Sequence, residues 1–146
     1  MIIKITYEEI YPIWKDHLWP NRTSPIEPNS AMCFVGGYDM FNMSTQPTFF
    51  AYIIDNKIAG VNSGHLCSNK QYRSRGLFVF DNYRKQGIGT QLLLATIDQA
   101  RSEDASMCWS YPRQDSWRTY EKAGFILQSE FKQDESGFNA YCSLDL

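Results

Sequence analysis

YRKQGIGTQLL, residues 83–93, sets two glycines and two positive charges directly in front of an apolar run with a helical period. Gly89, Leu92, Leu93, Thr96, Ile97 and Ala100 recur at spacings of three and four, which predicts an amphipathic helix over residues 89–101. The first turn of a helix carries backbone N–H groups without intrahelical partners, at the positive end of the macrodipole. Gly87 and Gly89 remove the β-carbons that would keep a bulky anion from those groups, and Arg84 and Lys85 add charge at the same place. The combination describes a cradle for phosphate or pyrophosphate, although a tight turn of purely structural purpose fits the same letters. A P-loop needs G-x-x-x-x-G-K-[ST], absent here, and a dinucleotide fingerprint needs a third glycine where this chain has Leu92.

Outward from this stretch the chain alternates strands and helices. Residues 76–80 read as a strand leading into the cradle, and 105–111 as a buried strand after the helix. Residues 116–123 read as a short helix stopped by Gly124, and 125–131 and 138–144 as two closing strands. Upstream, IIKITY has the β-branched character of a first strand, and Thr6-x-x-Glu9 suits a capping box for a helix carrying Ile10, Ile13, Trp14 and Leu18. Pro12 fits best if that helix starts late, with the proline in its first turn. PNRTSPIEPNS, residues 20–30, holds three prolines and is a loop, either functional or a tolerated insertion. Residues 48–54 and 57–66 form two strands joined at Asp55-Asn56, a dipeptide suited to a tight hairpin.

Composition bounds the function. The chain has 146 residues, 43% hydrophobic and 15% aromatic, enough for one domain, over residues 1–146, with a substantial core. A net charge of −2 argues against a general nucleic-acid binder. No apolar run approaches a membrane span and the start of the chain lacks signal-peptide character, so a soluble, cytoplasmic protein is expected, monomeric or homodimeric, without nucleic-acid or membrane partners. Cys33, Cys67, Cys108 and Cys142 stand singly, which withdraws sequence support from a metal site and suits free, mostly buried thiols.

LFVFDNYRKQGIG, residues 77–89, resembles motif A of the GNAT superfamily of N-acetyltransferases, R/Q-x-x-G-x-G/A between a strand and a long helix, with Arg84, Gly87 and Gly89 filling the pattern. SWRTYEKAGF, residues 116–125, resembles motif B, in which a tyrosine on a short helix precedes E-K-x-G-F. Asp81 departs from the family's frequent proline, and Arg113 from the asparagine that often precedes the tyrosine helix. The resemblance implies a GNAT-type α/β fold: a mixed central sheet of about seven strands, helices on both faces, and splayed fourth and fifth strands, here residues 76–80 and 105–111. It implies acetyl-CoA as donor, with the pyrophosphate on the N–H groups of Gln86, Gly87, Ile88, Gly89 and Thr90, beside Arg84 and Lys85, and the pantetheine arm along Phe78 and Val79. By the same resemblance the Val79 N–H polarises the thioester carbonyl and Tyr120 is the acid that protonates the leaving thiolate, although Tyr120 also suits packing beside Trp117.

The implied reaction is direct transfer to a primary amine of a small-molecule or amino-acid-like acceptor. Alternatives are a protein N-terminus or lysine as acceptor, and a non-catalytic acyl-CoA-binding module. For the general base the sequence offers His65 on the preceding strand, Asp115 and Glu121 beside Tyr120, or a water chain. Arg73 and Arg75 share one face of an extended segment, either receiving an acceptor carboxylate or phosphate or standing as solvated edge charges. Trp14, Trp19, Phe34, Tyr38 and Phe41 either wall an acceptor pocket or cap the core.

Overall fold

In the computed structural model, which describes all 146 residues, the chain builds a seven-stranded mixed sheet in the order β1-β2-β3-β4-β5-β9-β6, with a separate β7-β8 hairpin. The strands are β1 (Ile2–Ile5), β2 (Thr48–Ile54), β3 (Lys57–Leu66), β4 (Gln71–Val79), β5 (Met107–Ser110), β6 (Ile126–Leu127), β7 (Lys132–Asp134), β8 (Gly137–Asn139) and β9 (Cys142–Asp145). The helices are α1 (Tyr7–Ile13), α2 (Ile88–Ser102) and α3 (Trp117–Lys122). Period-two alternation sends Phe49 and Ala51 of β2 to one face, with Ile10 and Trp14, and Phe50 to the other, with Ile88 and Leu92 of α2. Helices therefore cover both faces, and each fully buried leucine of α2, Leu92 and Leu93, contributes about 2 kcal/mol.

The hairpin between β2 and β3 turns at Asp55 and Asn56, both at positive φ (50° and 65°), as a tight primed turn requires. Thr6 and Glu9 make the expected capping box. Pro12, however, lies inside α1 and not in its first turn. The proline withholds one backbone donor, and the helix widens beyond it into a π-helical turn over Trp14–Leu18, with Trp19 N–H bonded to Trp14 O at 2.7 Å.

Two further expectations change. β4 begins at Gln71, five residues before the apolar stretch, because the polar run QYRSR is itself packed inside: Tyr72, Ser74 and Arg75 are buried. The two closing strands become four short ones, since the chain leaves the sheet after Leu127 to form the β7-β8 hairpin and rejoins it at Cys142.

The loop over residues 20–30 is tied to the body. Ile26 packs beside Ile10 and Trp14, and the Asn29 Nδ2 donates to Asn42 O at 3.0 Å and Thr45 O at 2.6 Å. Tyr7 donates its hydroxyl to Ile26 O.

Candidate active site

β4 and β5 run parallel but pair only over Gln71↔Met107, Tyr72↔Cys108 and Arg73↔Trp109. Beyond that the two strands part, and Ser110 reaches across only by its hydroxyl, which donates to Ser74 O at 2.8 Å. At the same point β4 bulges: the register against β3 shifts between Val61↔Phe78 and Ser63↔Arg75, with Gly76 at φ +83°. A β-carbon on Gly76 would lie 2.4 Å from the Trp14 ring, and the Trp14 Nε1 donates to Gly76 O at 2.9 Å. Trp14 is fully buried, so it acts as a wedge that holds the bulge open.

Past the bulge the edge of β4 facing β5 has no strand partner. Phe80 N–H donates to Ala59 O, toward β3, so the strand's period of two turns Val79's N–H and carbonyl the other way, into the gap. The Val79 carbonyl there accepts from the Arg84 Nε at 2.8 Å. Arg84 is also paired with Asp81 at 2.9 Å and stacked over Phe78 at 5.6 Å, so its charge is partly committed to the turn. Phe78, Phe80, Asp81, Asn82 and Arg84 line an open depression of about 420 Å³ together with Asp16 and His17. His17 packs edge-on against Phe80 at 4.9 Å and tilted against Phe78 at 5.7 Å, bringing an imidazole ring to this half of β4. That contact was not legible in the sequence, since His17 falls in the π turn that follows α1, outside both motifs.

The chain then enters α2 through Lys85 and Gly87, both left-handed (φ 62° and 78°). The first intrahelical bond at this end runs from Gln91 N–H to Gly87 O, and the backbone N–H groups of Lys85, Gln86, Gly87, Ile88, Gly89 and Thr90 have no hydrogen-bond partner. No side chain caps α2 and no acidic residue stands in its first turn. Successive free amides around left-handed residues form a concave nest for an anion, and the chain supplies none of its own.

The two glycines of this cradle also answer to different demands within the fold. A β-carbon on Gly87 would meet nothing within 4 Å; glycine is needed there for the left-handed backbone. A β-carbon on Gly89 would lie 2.9 Å from the Thr119 Cγ2, so that glycine admits α3 against α2, and it is buried.

Tyr120 lies on α3 in the core between Leu93, Ile97, Cys108, Phe125 and Cys142, with its hydroxyl beside Ser110 at the parting of the strands. Burial pushes its pKa well above the usual tyrosine value, while Ser110 and the positive charge of Arg73 act in the opposite direction. His65 is fully buried, and desolvation together with Arg73 and Arg75 pushes it down to about 3, with the Ser30 backbone acting weakly the other way. It is neutral at pH 7 and too weakly basic to deprotonate an ammonium.

Neither arginine is a solvated edge charge. Arg75 is buried, sandwiched against Trp14 (4.9 Å) and Trp19 (5.3 Å), and its Nη1 donates to Glu27 O at 2.8 Å and Pro28 O at 3.3 Å, clamping the proline-rich loop. Arg113 likewise ties Leu18 O to Ser136 O. The five aromatics divide: Trp14 and Trp19 pack together, Phe34 joins Trp109 and Tyr141, and Tyr38 and Phe41 are exposed.

A family model described as Acetyltransferase (GNAT) family matches residues 8–125. No curated protein matches the chain. Among solved structures, an IAA acetyltransferase from Bacillus cereus is similar over 100% of this chain and 99% of that one, with TM-score 0.72 and 15% identity. A Bacillus subtilis acetyltransferase in complex with CoA is similar over 99% of this chain and 97% of that one, with TM-score 0.67 and 17% identity. A protein from Bacillus anthracis in complex with acetyl coenzyme A is similar over 100% of this chain and 97% of that one, with TM-score 0.66 and 14% identity.

Proposed function

The chain belongs to the GNAT family of acetyltransferases, and from that premise we propose that it transfers an acetyl group from acetyl-CoA directly to a primary amine of a small-molecule or amino-acid-like acceptor. The observation that carries this reading is the run of free N–H groups from Lys85 to Thr90 beside the unpaired edge of β4. Such a run suits a pyrophosphate, and an uncapped helix without a first-turn carboxylate suits an anion brought from outside. When bound, acetyl-CoA supplies an acyl thioester. The amides of Gln86, Gly87, Ile88, Gly89 and Thr90 hold its phosphates, Lys85 adds charge at the rim, and Phe78, Val79 and Arg84 flank the arm.

The Val79 N–H, turned into the gap, stabilises the charge that develops on the acyl oxygen; a donor so aimed contributes about 3 kcal/mol. The acceptor amine, with a pKa near 10.4 in water, attacks only after losing a proton, and water in the open gap carries that proton away without a dedicated base. Tyr120 gives its proton to the departing sulfur. At unperturbed pKa values that transfer is uphill by roughly 2 kcal/mol, and burial of Tyr120 raises the barrier further, so it is concerted with loss of the thiolate.

The test is thiol release from acetyl-CoA by wild type and Tyr120→Phe over a panel of amines, amino acids and peptides, with acetyl-CoA binding measured by calorimetry. Tyr120→Phe is expected to bind acetyl-CoA normally and to lose roughly 100-fold or more in kcat. Normal binding without turnover on any acceptor would favour a non-catalytic acyl-CoA-binding module, and no binding of acetyl-CoA would overturn the reading.

A further inference from the structure

Around the pairing of β4 with β5 most polar side chains have partners, whereas Arg73, the Trp109 Nε1 and His65 do not, and of these only Arg73 carries a charge. The Tyr72 hydroxyl donates to Glu103 at 2.9 Å, the Asn62 Nδ2 to the Ser74 hydroxyl at 2.8 Å, the Ser63 hydroxyl to Arg75 O at 2.7 Å, and Arg75 itself to two carbonyls. Arg73 makes no side-chain hydrogen bond; its Nε is buried without a partner, and both ion pairs of the molecule lie elsewhere. The groups coupled to its charge include Cys67, Tyr120, Tyr141, Arg22, His65 and Arg75, none of them a carboxylate. Burial lowers its pKa to about 10, so it remains a cation at neutral pH. A half-buried guanidinium whose Nε reaches neither water nor an acceptor is costly in a fold, and the same fold satisfies its neighbour two residues on.

The surroundings define what would satisfy Arg73. Its guanidinium lies 4.9 Å from the centroid of the Trp109 ring, and Phe34 and Tyr141 stand 5.8 and 6.1 Å from the same indole. The indole lies against the guanidinium, none of whose N–H donors makes a hydrogen bond, leaving a planar fork that matches the two oxygens of a carboxylate. The other unpartnered N–H groups here, on Trp109 and His65, are neutral, and Arg75 is committed to carbonyls, so a single free positive charge faces the ligand, which suits a carboxylate monoanion better than a phosphate dianion. Arg73 is the last residue of β4 paired to β5, and its charge acts on Tyr120, so it lies next to the parting of the strands.

We propose that Arg73 anchors the carboxylate of the acceptor, which makes this enzyme selective for compact amines that carry a carboxylate, such as amino acids, over amines that do not. The inference rests on the acetyltransferase reading above and narrows its acceptor.

The experiment compares amino acids with their carboxamides and their aminophosphonate counterparts. Acetyl transfer is measured for wild type, Arg73→Gln and Arg73→Lys, and probe binding to the CoA-saturated protein is measured by calorimetry. Wild type is expected to favour the amino acid over its amide by roughly 10- to 100-fold in kcat/KM. Arg73→Gln is expected to lose that preference while binding acetyl-CoA as before, and Arg73→Lys to recover part of it. A wild type indifferent to the carboxylate overturns the proposal even if the variants fail to fold. So does a folded Arg73→Gln that keeps the preference, or a preference for the phosphonate. If no amine is acetylated yet amino acids bind and Arg73→Gln abolishes their binding, the anchor stands and the acetyltransferase reading falls.

Discussion

From Gln71 to Arg73 β4 is paired with both β3 and β5, or with β5 alone, and through Arg75 its polar groups, those of Arg73 apart, are bound to Glu103, Asn62, Ser63, Ser110 and the proline-rich loop. From Gly76 to Val79 it keeps β3 and loses β5, and it leads into amides that bind nothing in the chain. One strand thus holds the fold at one end and offers itself to a ligand at the other. The boundary is the Gly76 bulge with Trp14 behind it. At that boundary a buried indole occupies the room that a β-carbon on residue 76 would need, so the bulge is built into the packing.

The largest effect should come from the boundary itself. Gly76→Ala drives a β-carbon into Trp14 at a positive φ, and is expected to cost about 3 kcal/mol or more, lowering Tm by roughly 10 °C. A melting curve like that of wild type would show that the wedge does not hold the bulge.

The closed half should also carry a pH signature. The folded state keeps His65 neutral down to about 3, whereas the unfolded chain protonates it near 6.5. As pH falls below 6.5 the unfolded state takes up the proton, so stability drops progressively from there toward pH 3. Between pH 6.5 and 5 the loss should be about 1.6 kcal/mol in urea denaturation, and His65→Gln should flatten it. An unchanged slope in a folded His65→Gln would assign the dependence to other groups.

On the open side, the glycines can be separated by a double-mutant cycle. Gly89→Ala gains about 1 kcal/mol of helix propensity but displaces Thr119, so the net effect should be near zero, and the gain should emerge in a Thr119→Ser background. Gly87→Ala should cost about 1 kcal/mol in either background, because its demand is on the backbone. Smallest of all, Asp81→Asn removes a solvent-exposed partner of Arg84 and should change stability by less than about 0.5 kcal/mol in thermal melts.

The hairpin at Asp55-Asn56, the capping box at Thr6 and the face of α2 were legible because each depends on residues a few positions apart. The motif around Arg84, Gly87 and Gly89 was legible for the same reason, and it pointed to the helix start where the free amides lie. The start of β4 was not, since QYRSR looks like a surface segment until distant partners bury it. The roles of Arg75, His17 and Gly89 were hidden too, because each is defined by a contact with another element: the loop carbonyls, the rings of β4 and the methyl of Thr119.

The sequence by itself determined the local geometry: where helices begin, which faces turn inward, and where a left-handed residue leaves amides free. Tertiary structure alone decided the gap between β4 and β5, and which of two arginines on one strand face is saturated and which stands without an anion. These are balances of burial and pairing among residues tens of positions apart, and no window of the sequence contains both sides of them.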